Sequence, residues 1–327
     1  MDEGKNDVLI IDGKETAKQI RKELVSEIQS LSKRPGLAVV LVGNRVDSAT
    51  YVRMKKRAAE EIGIHSIDIS LPDTITQKEL ENEIEMLNQN DQVHGILVQL
   101  PLPKHINEAD VLKSISFKKD ADGFSAENIG RLWLGRGMKG DPPLALPCTP
   151  SGCIELLQRY EIDITGKECV VLGRSNIVGM PVAALLQSCN GTVTVCHSRT
   201  KNIPDVVKRA DILIAAIGKA EYVRGDWLKP GVVVIDVGIN EKVDLSKKRG
   251  YRLVGDVNYE EACQVASAIT PVPGGVGPMT IAMLMKNTVN LCRHSLGLPR
   301  IQLRNRIHRN LSHRDFIHTS QPQSFSG

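Results

Sequence analysis

The chain has 327 residues, 41% hydrophobic and 24% charged, with a formal net charge of +4. That length exceeds one average domain and fits two, and the composition is that of an ordinary globular protein, not a fibrous or low-complexity one. From Arg293 onward six arginines (293, 300, 304, 306, 309, 314) face one acid, Asp315, a net of +5 that leaves the body at −1, so the body carries no electrostatic footprint for nucleic acid.

Taken in order, Ile11-Asp12-Gly13-Lys14 reads as a turn, followed by a charged amphipathic helix to about residue 31. Residues 37–42 form a buried strand. Asp47 or Ser48 can cap the next helix, which runs through Tyr51 and Lys55 to Ile62 and stops at Gly63. A strand at 65–71, a helix at 77–87 and a strand at 93–100 ending at Pro101 complete a βαβ alternation, which means a parallel α/β domain. Residues 120–150, rich in Gly, Pro and Arg, read as a loop and a crossing into a second domain.

The second domain is organised around residues 170–186, VVLGRSNIVGMPVAALL. A short apolar strand stops at Gly173, and Gly179 opens an apolar segment of helical spacing in which Pro181 is tolerated within the first turn. Strand, glycine turn and helix start is the layout that points free amides at a phosphate. The spacing is not the usual G-x-G-x-x-G: Ser175 takes the second glycine position and Val178 the third. An NAD-binding fold ends its next strand with an acid that accepts from the ribose hydroxyls. Here residues 192–196 run instead into His197-Ser198-Arg199-Thr200, and Arg174 stands inside the turn. Hydroxyl and guanidinium groups suit a 2′-phosphate and point to NADP; a solvated polar turn is the plain alternative.

Strands at 211–216 and 232–237 continue the doubly wound part, and Pro271-Val-Pro-Gly-Gly-Val-Gly-Pro278 reads as a rigid loop into a helix from Met279 to about Cys292. Gly297 and Pro299 end that helix. The fold expected is α/β with two domains. An N-terminal substrate domain spans 1–147, completed by about 275–296, where the last helix returns to it. A Rossmann-like NADP domain spans 148–274. Residues 297–327 hold no Lys, three His (308, 313, 318) and much Ser, Arg and Asn, and read as a disordered extension; an Arg-rich tail for an acidic partner is the alternative.

Seven cysteines (148, 153, 169, 189, 196, 263, 292) form no C-x-x-C pair, and several sit in apolar runs, so they read as reduced thiols of an intracellular protein. The start, MDEGKND, has the character of neither a signal nor a transit peptide, and no apolar run is long enough to span a bilayer. The expectation is a cytoplasmic protein, with an organellar form left open and neither membrane nor nucleic acid among its partners.

Tyr51 and Lys55, four apart on a helix, share a face. Y-x-x-x-K also occurs in short-chain dehydrogenases, but after the glycine turn, whereas here it precedes it. Gln99, between Val98 and Leu100, is either a strand-end hydrogen-bonder or a site residue, since binding groups gather at carboxyl ends of parallel strands. Asp122 is a turn former or half of a metal site; with no His or further acid set beside it we expect no metal.

Six segments in order resemble the bifunctional methylenetetrahydrofolate dehydrogenase/methenyltetrahydrofolate cyclohydrolase family: Ser48-Ala-Thr-Tyr51-x-x-x-Lys55, Val93-His-Gly-Ile-Leu-Val-Gln-Leu-Pro-Leu102, Lys119-Asp-Ala-Asp-Gly123, Pro147-Cys-Thr-Pro150, Gly173-Arg-Ser-x-x-Val-Gly179 and Pro273-Gly-Gly-Val-Gly-Pro-Met-Thr280. The resemblance covers about residues 8 to 294. It implies oxidation of 5,10-methylenetetrahydrofolate to the 5,10-methenyl form with NADP, then hydrolysis to 10-formyltetrahydrofolate, by a homodimer. It also implies site roles. Lys55 manages proton transfer in the hydrolysis, Gln99 positions Lys55, Asp122 binds the pterin edge and Tyr51 packs on the folate rings. Leu100, Pro273, Gly274 and Gly277 join the substrate site. Gly173, Arg174, Ser175, Val178 and Ser198 fall to NADP, with Thr149, Ile239 and Thr280 near the nicotinamide or folate. A shikimate-dehydrogenase-like oxidoreductase would not carry the 273–280 loop, and a non-enzymatic NADP sensor would have no use for Lys55 and Gln99 together.

Overall fold

The computed structural model describes residues 8–134, 142–247 and 249–301. The start read at 1–7, part of the 120–150 crossing and the tail from residue 302 lie outside the described residues. The chain opens with a strand, β1 (Leu9–Ile10), and a helix, α1 (Gly13–Gln29). Asp12 caps α1 by accepting from the Glu15 amide at 2.9 Å, satisfying one of the donors that every helix start leaves orphaned. Thr16, Ala17, Ile20 and Leu24 line its buried face; Ile20 and Leu24 each contribute about 2 kcal/mol by leaving water.

The first sheet has three parallel strands, β2 (Gly36–Val42) between β3 (His65–Leu71) and β4 (Gly95–Val98). The central strand, GLAVVLV, is buried almost throughout, as a strand covered on both faces must be. Helix α2 (Val46–Ile62) connects β2 to β3, and α3 (Gln77–Gln89), closed by a Thr76–Glu79 capping box, connects β3 to β4. Helix α2 starts at Val46 with Arg45 in the cap position, so Asp47 and Ser48 lie in its first turn and the cap expected of them is not where the helix begins. Its end is as read, with Gly63 at φ 91°. The segment expected as loop contains helix: α4 (Glu108–Ser114) precedes it, α5 (Ala126–Leu134) lies inside it, and α6 (Cys148–Arg159) starts before its end.

The second sheet is built from β5 (Glu168–Leu172), β6 (Thr192–Cys196), β7 (Ile212–Ala215), β8 (Val233–Asp236) and β11 (Ala268–Ile269). Helices α7 (Gly179–Ser188) and α8 (Ile203–Val207) make its first two crossovers, and a short 3-10 turn, Gly225–Trp227, stands in the third. Its order is β6-β5-β7-β8-β11-β1, parallel at every pairing. Strand β1 therefore joins the sheet of the second half, with Leu9 opposite Ala268. The chain reverses direction across the sheet between β5 and β7, the switch point at which doubly wound sheets bind ligands. A hairpin of β9 (Asn240–Val243) and β10 (Tyr251–Val254) and a turn of helix, α9 (Tyr259–Ala262), precede β11.

Helix α10 (Val276–Ser295) starts three residues before the Met279 expected; Pro278 sits in its first turn, where a missing amide costs nothing. It packs along α6 and α1, and a partly buried ion network joins all three. Arg159 reaches Glu155 and Glu23 at 2.8 Å, and Lys286 reaches Glu155 at 3.2 Å. The helix ends at Ser295, with Leu296 as its C-cap and Gly297 following at φ 69°. Residues 297–301, assigned to a disordered extension, are folded onto the protein. The Ile301 amide donates to Asn290 at 2.9 Å, Arg300 donates to the Pro143 carbonyl at 2.7 Å, and Ile301 is 8% exposed.

Candidate active site

The front of the site is built by α2 and the carboxyl end of β4. Lys55 Nζ donates to Gln99 Oε1 at 3.0 Å. The amide cannot turn freely, because its Nε2 donates to the Leu100 carbonyl at 2.8 Å and the Gln99 backbone is tied to Val40 at 2.8 Å. The acceptor oxygen is thereby committed to the lysine. Tyr51, one turn earlier on α2, is 45% exposed. Asp122 completes the group. Burial pushes its carboxyl up to about 6, the Lys55 ammonium pulls it down and Asp120 pushes it up again.

The turn that carries Asp122 is pinned by Asp120, whose two oxygens accept from the amides of Gly123 (2.9 Å) and Ser125 (2.7 Å) and from the Asn128 side chain (3.0 Å). Asp120 is thus the turn former of the pair, which leaves Asp122 facing the lysine. Among the described residues, no group of three or more His, Cys, Asp or Glu side chains is arranged to hold a metal ion.

The back of the site lies at the switch point. Gly173 ends β5 at φ 115°, and a β-carbon there would stand 2.1 Å from the Ala216 carbonyl oxygen. Gly179 is equally close-set, with a β-carbon falling 2.2 Å from the Gly173 carbonyl oxygen. Only glycine permits this turn to close on both sides. Ser175 Oγ accepts from the amides of Val178 (3.2 Å) and Gly179 (3.3 Å), so its hydroxyl holds the turn and keeps only its proton to offer a ligand. A cavity of about 310 Å³ opens here, lined by Gly173, Arg174, Ser175 and Ser198 but not Val178, and also by Lys219 and Tyr222.

Lys219 and Tyr222 were not foreseen. The Lys219 ammonium stands 5.2 Å over the Tyr222 ring, and its loop is fixed by Asp256, which accepts from the amides of Ile217 (2.7 Å), Gly218 (3.0 Å) and Lys219 (2.8 Å). The available sequence signal was position: Lys219 follows β7 at the carboxyl edge of the sheet, beside the glycine turn. Asp256 lies far along the chain, and no local pattern marks it.

Between front and back stand Thr149 and Thr280, whose hydroxyls meet at 2.9 Å across the first turns of α6 and α10. Next to Thr149, the Cys148 thiol reaches Asp122 Oδ1 at 3.9 Å, so one residue step links the Asp122 group to the threonine pair. Ile239, 46% exposed, follows β8, and its Cδ1 is 3.6 Å from the place a Gly277 β-carbon would take. Pro273 and Gly274 (φ 116°) shape the preceding loop, whose Gly274 carbonyl accepts from the Lys14 amide at 2.9 Å. Gly277 lies in the first turn of α10 rather than in a loop. The Asp122 group is thus linked through Cys148 to Thr149 and, across the hydroxyl pair, to Thr280 of α10.

Residues 11–122 match the family described as tetrahydrofolate dehydrogenase/cyclohydrolase, catalytic domain, and residues 147–296 match its NAD(P)-binding domain. The chain is 56% identical over 285 residues to the bifunctional protein FolD 4, chloroplastic, of Arabidopsis thaliana, covering 86% of this chain and 78% of that one. It is 56% identical over 287 residues to the bifunctional protein FolD of Acetivibrio thermocellus, covering 87% and 96%. Among solved structures, the Trypanosoma brucei N5,N10-methylenetetrahydrofolate dehydrogenase-cyclohydrolase, complexed with NADP cofactor and an inhibitor, superposes with a TM-score of 0.83 at 44% identity, covering 88% of this chain and 98% of that one.

Proposed function

This chain belongs to the tetrahydrofolate dehydrogenase/cyclohydrolase family, and from that premise we propose how its residues divide the work. The protein oxidises 5,10-methylenetetrahydrofolate to the 5,10-methenyl form with NADP and hydrolyses that product to 10-formyltetrahydrofolate. The residues present fit NADP: a glycine turn with no β-carbon in the way, a guanidinium at Arg174, a hydroxyl at Ser198 and no acid at the end of β6. When bound, NADP supplies the hydride acceptor.

In the oxidation the carbon that gives up hydride lies between two nitrogens, whose lone pairs stabilise the cation that forms. The protein's task is therefore apposition. Asp122 holds the pterin edge, Tyr51 covers the folate rings, and Leu100, Pro273, Gly274 and Gly277 shape the remaining wall. Thr149, Ile239 and Thr280 set the nicotinamide side, while Gly173, Arg174, Ser175, Val178 and Ser198 hold the phosphates. In the hydrolysis water attacks the amidinium carbon, and Lys55 handles the proton, held in line by Gln99.

The observation that carries this reading is the 3.0 Å Lys55–Gln99 hydrogen bond beside a half-buried Asp122. A protein that only senses NADP has no use for it. The test follows the methenyl product by its absorbance. With Lys55→Met, enzymatic decay of methenyltetrahydrofolate should fall by about 10²-fold or more, the scale of a lost general base, while binding of folate and NADP persists. Equal decay in mutant and parent removes Lys55 from this role. The homodimer and the cytoplasmic placement belong to the same proposal. Val243 and Leu245, 80% and 89% exposed on the β9–β10 segment, offer apolar surface for a second copy, and all seven cysteines are free thiols. No described helix is long and apolar enough to cross a membrane.

A further inference from the structure

Asn287 has no part in the roles given above, yet it is 3% exposed and carries more hydrogen bonds than any neighbour on its face of α10. Its Nδ2 donates to the Ala121 carbonyl at 2.9 Å, to the Leu146 carbonyl at 2.7 Å and to Cys148 Sγ at 3.5 Å, and its Oδ1 accepts from the Leu146 amide at 3.4 Å. These four contacts tie together the turn before Asp122, the strand of chain entering α6, and the first residue of α6 itself. The Cys148 thiol in turn faces the Ala121 carbonyl at 3.6 Å and Asp122 Oδ1 at 3.9 Å. The surroundings leave no room to drift. A β-carbon on Gly95 of β4 would fall 3.1 Å from Ala121 Cβ and 3.3 Å from Thr288 Oγ1 of α10, and one on Gly123 would fall 2.5 Å from the Leu146 carbonyl carbon.

A buried carboxamide with this many partners is costly to keep unless each is satisfied. A plain helix-packing position would be filled as well by leucine. What Asn287 does that leucine cannot is grip both backbone carbonyls flanking the Asp122 turn and offer an N–H to the sulfur, which leaves the thiol proton to be shared by Ala121 O and Asp122. We propose that Asn287, acting through Cys148, is a positioning residue for the folate site: it fixes the direction in which the Asp122 carboxyl points. The inference rests on the folate-binding role given to Asp122. The charged and titratable groups facing that carboxyl are Lys55 from α2, Asp120 from its own turn and Cys148 from α6; from α10 the neutral Asn287 reaches it only through the sulfur.

The experiment measures steady-state dehydrogenase kinetics for the full chain at saturating NADP, from about pH 5.5 to about pH 8.5, in Cys148→Ala, Cys148→Ser, Asn287→Leu and, as a control, Asp122→Asn. Removing the thiol takes a weak hydrogen bond from the carboxylate, so Cys148→Ala should raise the folate KM about threefold to tenfold and shift the acid limb of its pH profile upward. The NADP KM should not move. Cys148→Ser, which keeps a donor, should restore both the folate KM and the profile. Asn287→Leu should act in the same direction and more strongly.

A folded Asn287→Leu or Cys148→Ala protein with the parent's folate KM and pH profile overturns the inference. So does a rise in folate KM matched by an equal rise in NADP KM and not rescued by Cys148→Ser, which marks a packing role only. If Asn287→Leu does not fold, the two Cys148 variants decide the matter. If Asp122→Asn itself leaves the folate KM unchanged, the role of Asp122 fails, a result distinct from failure of the Asn287 inference.

Discussion

Replacing Asp122 by Asn probes the proposed folate site through stability rather than turnover. Burial raises this carboxyl from its ordinary 3.8 to about 6, against the pull of the Lys55 ammonium. Over that interval the folded protein holds a proton that the unfolded chain has released. The stability so contributed is therefore complete below about pH 3.8 and is lost as the pH rises through about 6. A gap of about two units, at about 1.4 kcal/mol each, makes the whole effect about 3 kcal/mol. Between pH 5 and pH 8 only about half of it, about 1.4 kcal/mol, is in play, because at pH 5 the unfolded carboxyl has already ionised. Asparagine does not titrate. Urea unfolding of the ligand-free parent and Asp122→Asn proteins, followed by circular dichroism at both pH values, should show the variant gaining about 1.4 kcal/mol on the parent from pH 5 to pH 8. Asp236, pushed up to about 7 by its burial, adds a similar slope to both proteins and cancels in the difference. A difference between the two proteins that is the same at both pH values refutes the reasoning and places Asp122 in a wetter, better-paired setting.

Arg174→Ala should raise the NADP KM about tenfold or more, the value of a charge-assisted hydrogen bond, with little change in use of NAD; equal losses with both cofactors would take Arg174 off the 2′-phosphate. Gly173→Ala puts a methyl group 2.1 Å from the Ala216 carbonyl oxygen at φ 115°, and should lower the melting temperature by an amount corresponding to about 3 kcal/mol while abolishing NADP binding. A protein that tolerates this methyl group would show that the turn is looser than its geometry. Asp256→Ala strands the three amides of residues 217–219, at a cost of about 3 kcal/mol or more, and should weaken NADP through the displaced Lys219 loop. An unchanged NADP KM in the folded variant would detach that loop from the cofactor.

The glycine turn was legible because its signal is local: an apolar strand, Gly173, and an apolar helix opening at Gly179 are contiguous in sequence and confirmed by the backbone at φ 115°. Helix α1 was legible from its amphipathic spacing, but it starts at Gly13, inside the segment read as a turn, with Asp12 as its cap. The pairing of β1 with β11 was not, since two strands of two residues have no periodicity and their partners lie about 260 positions apart, where only tertiary packing decides. Helices α4 and α5 were missed because seven and nine residues give too few turns for an apolar stripe to emerge among polar neighbours. The beginning of α10 was misplaced because glycine and proline were read as loop formers, although Pro278 falls where a helix start accepts it. In the site, Gln99 stood out as a polar residue at a strand end and Lys55 as the partner of Tyr51 on one helix face, while Asp122 lay in a turn-forming Asp-Ala-Asp-Gly run. Asn287 did not stand out, being one of several polar residues in the second half of α10, beside Lys286, Thr288 and Asn290, and its meaning lies wholly in the carbonyls it meets.

Helix α10 carries residues on both sides of the proposed site. Thr280, in its first turn, meets Thr149 at 2.9 Å, and Asn287 grips the Asp122 turn. Seven residues separate them, two turns on one face, or about 10 Å along the axis. The spacing between the Thr149–Thr280 pair and the Asp122 turn is thus set by a helix rather than by a loop. Hydride transfer depends steeply on the separation of the reacting atoms, and an error of about 1 Å costs about 10²-fold. In the proposed hydrolysis Lys55 must keep its place, and the locked amide of Gln99 holds its ammonium. A flexible connection at 273–278 would let the two sites drift apart. Instead the α1 start lies hard against that stretch, a β-carbon on Gly13 falling 1.8 Å from the Gly275 carbonyl oxygen. The tight glycines of the last motif therefore act as spacers in a rigid frame, and the economy of titratable groups follows from that rigidity.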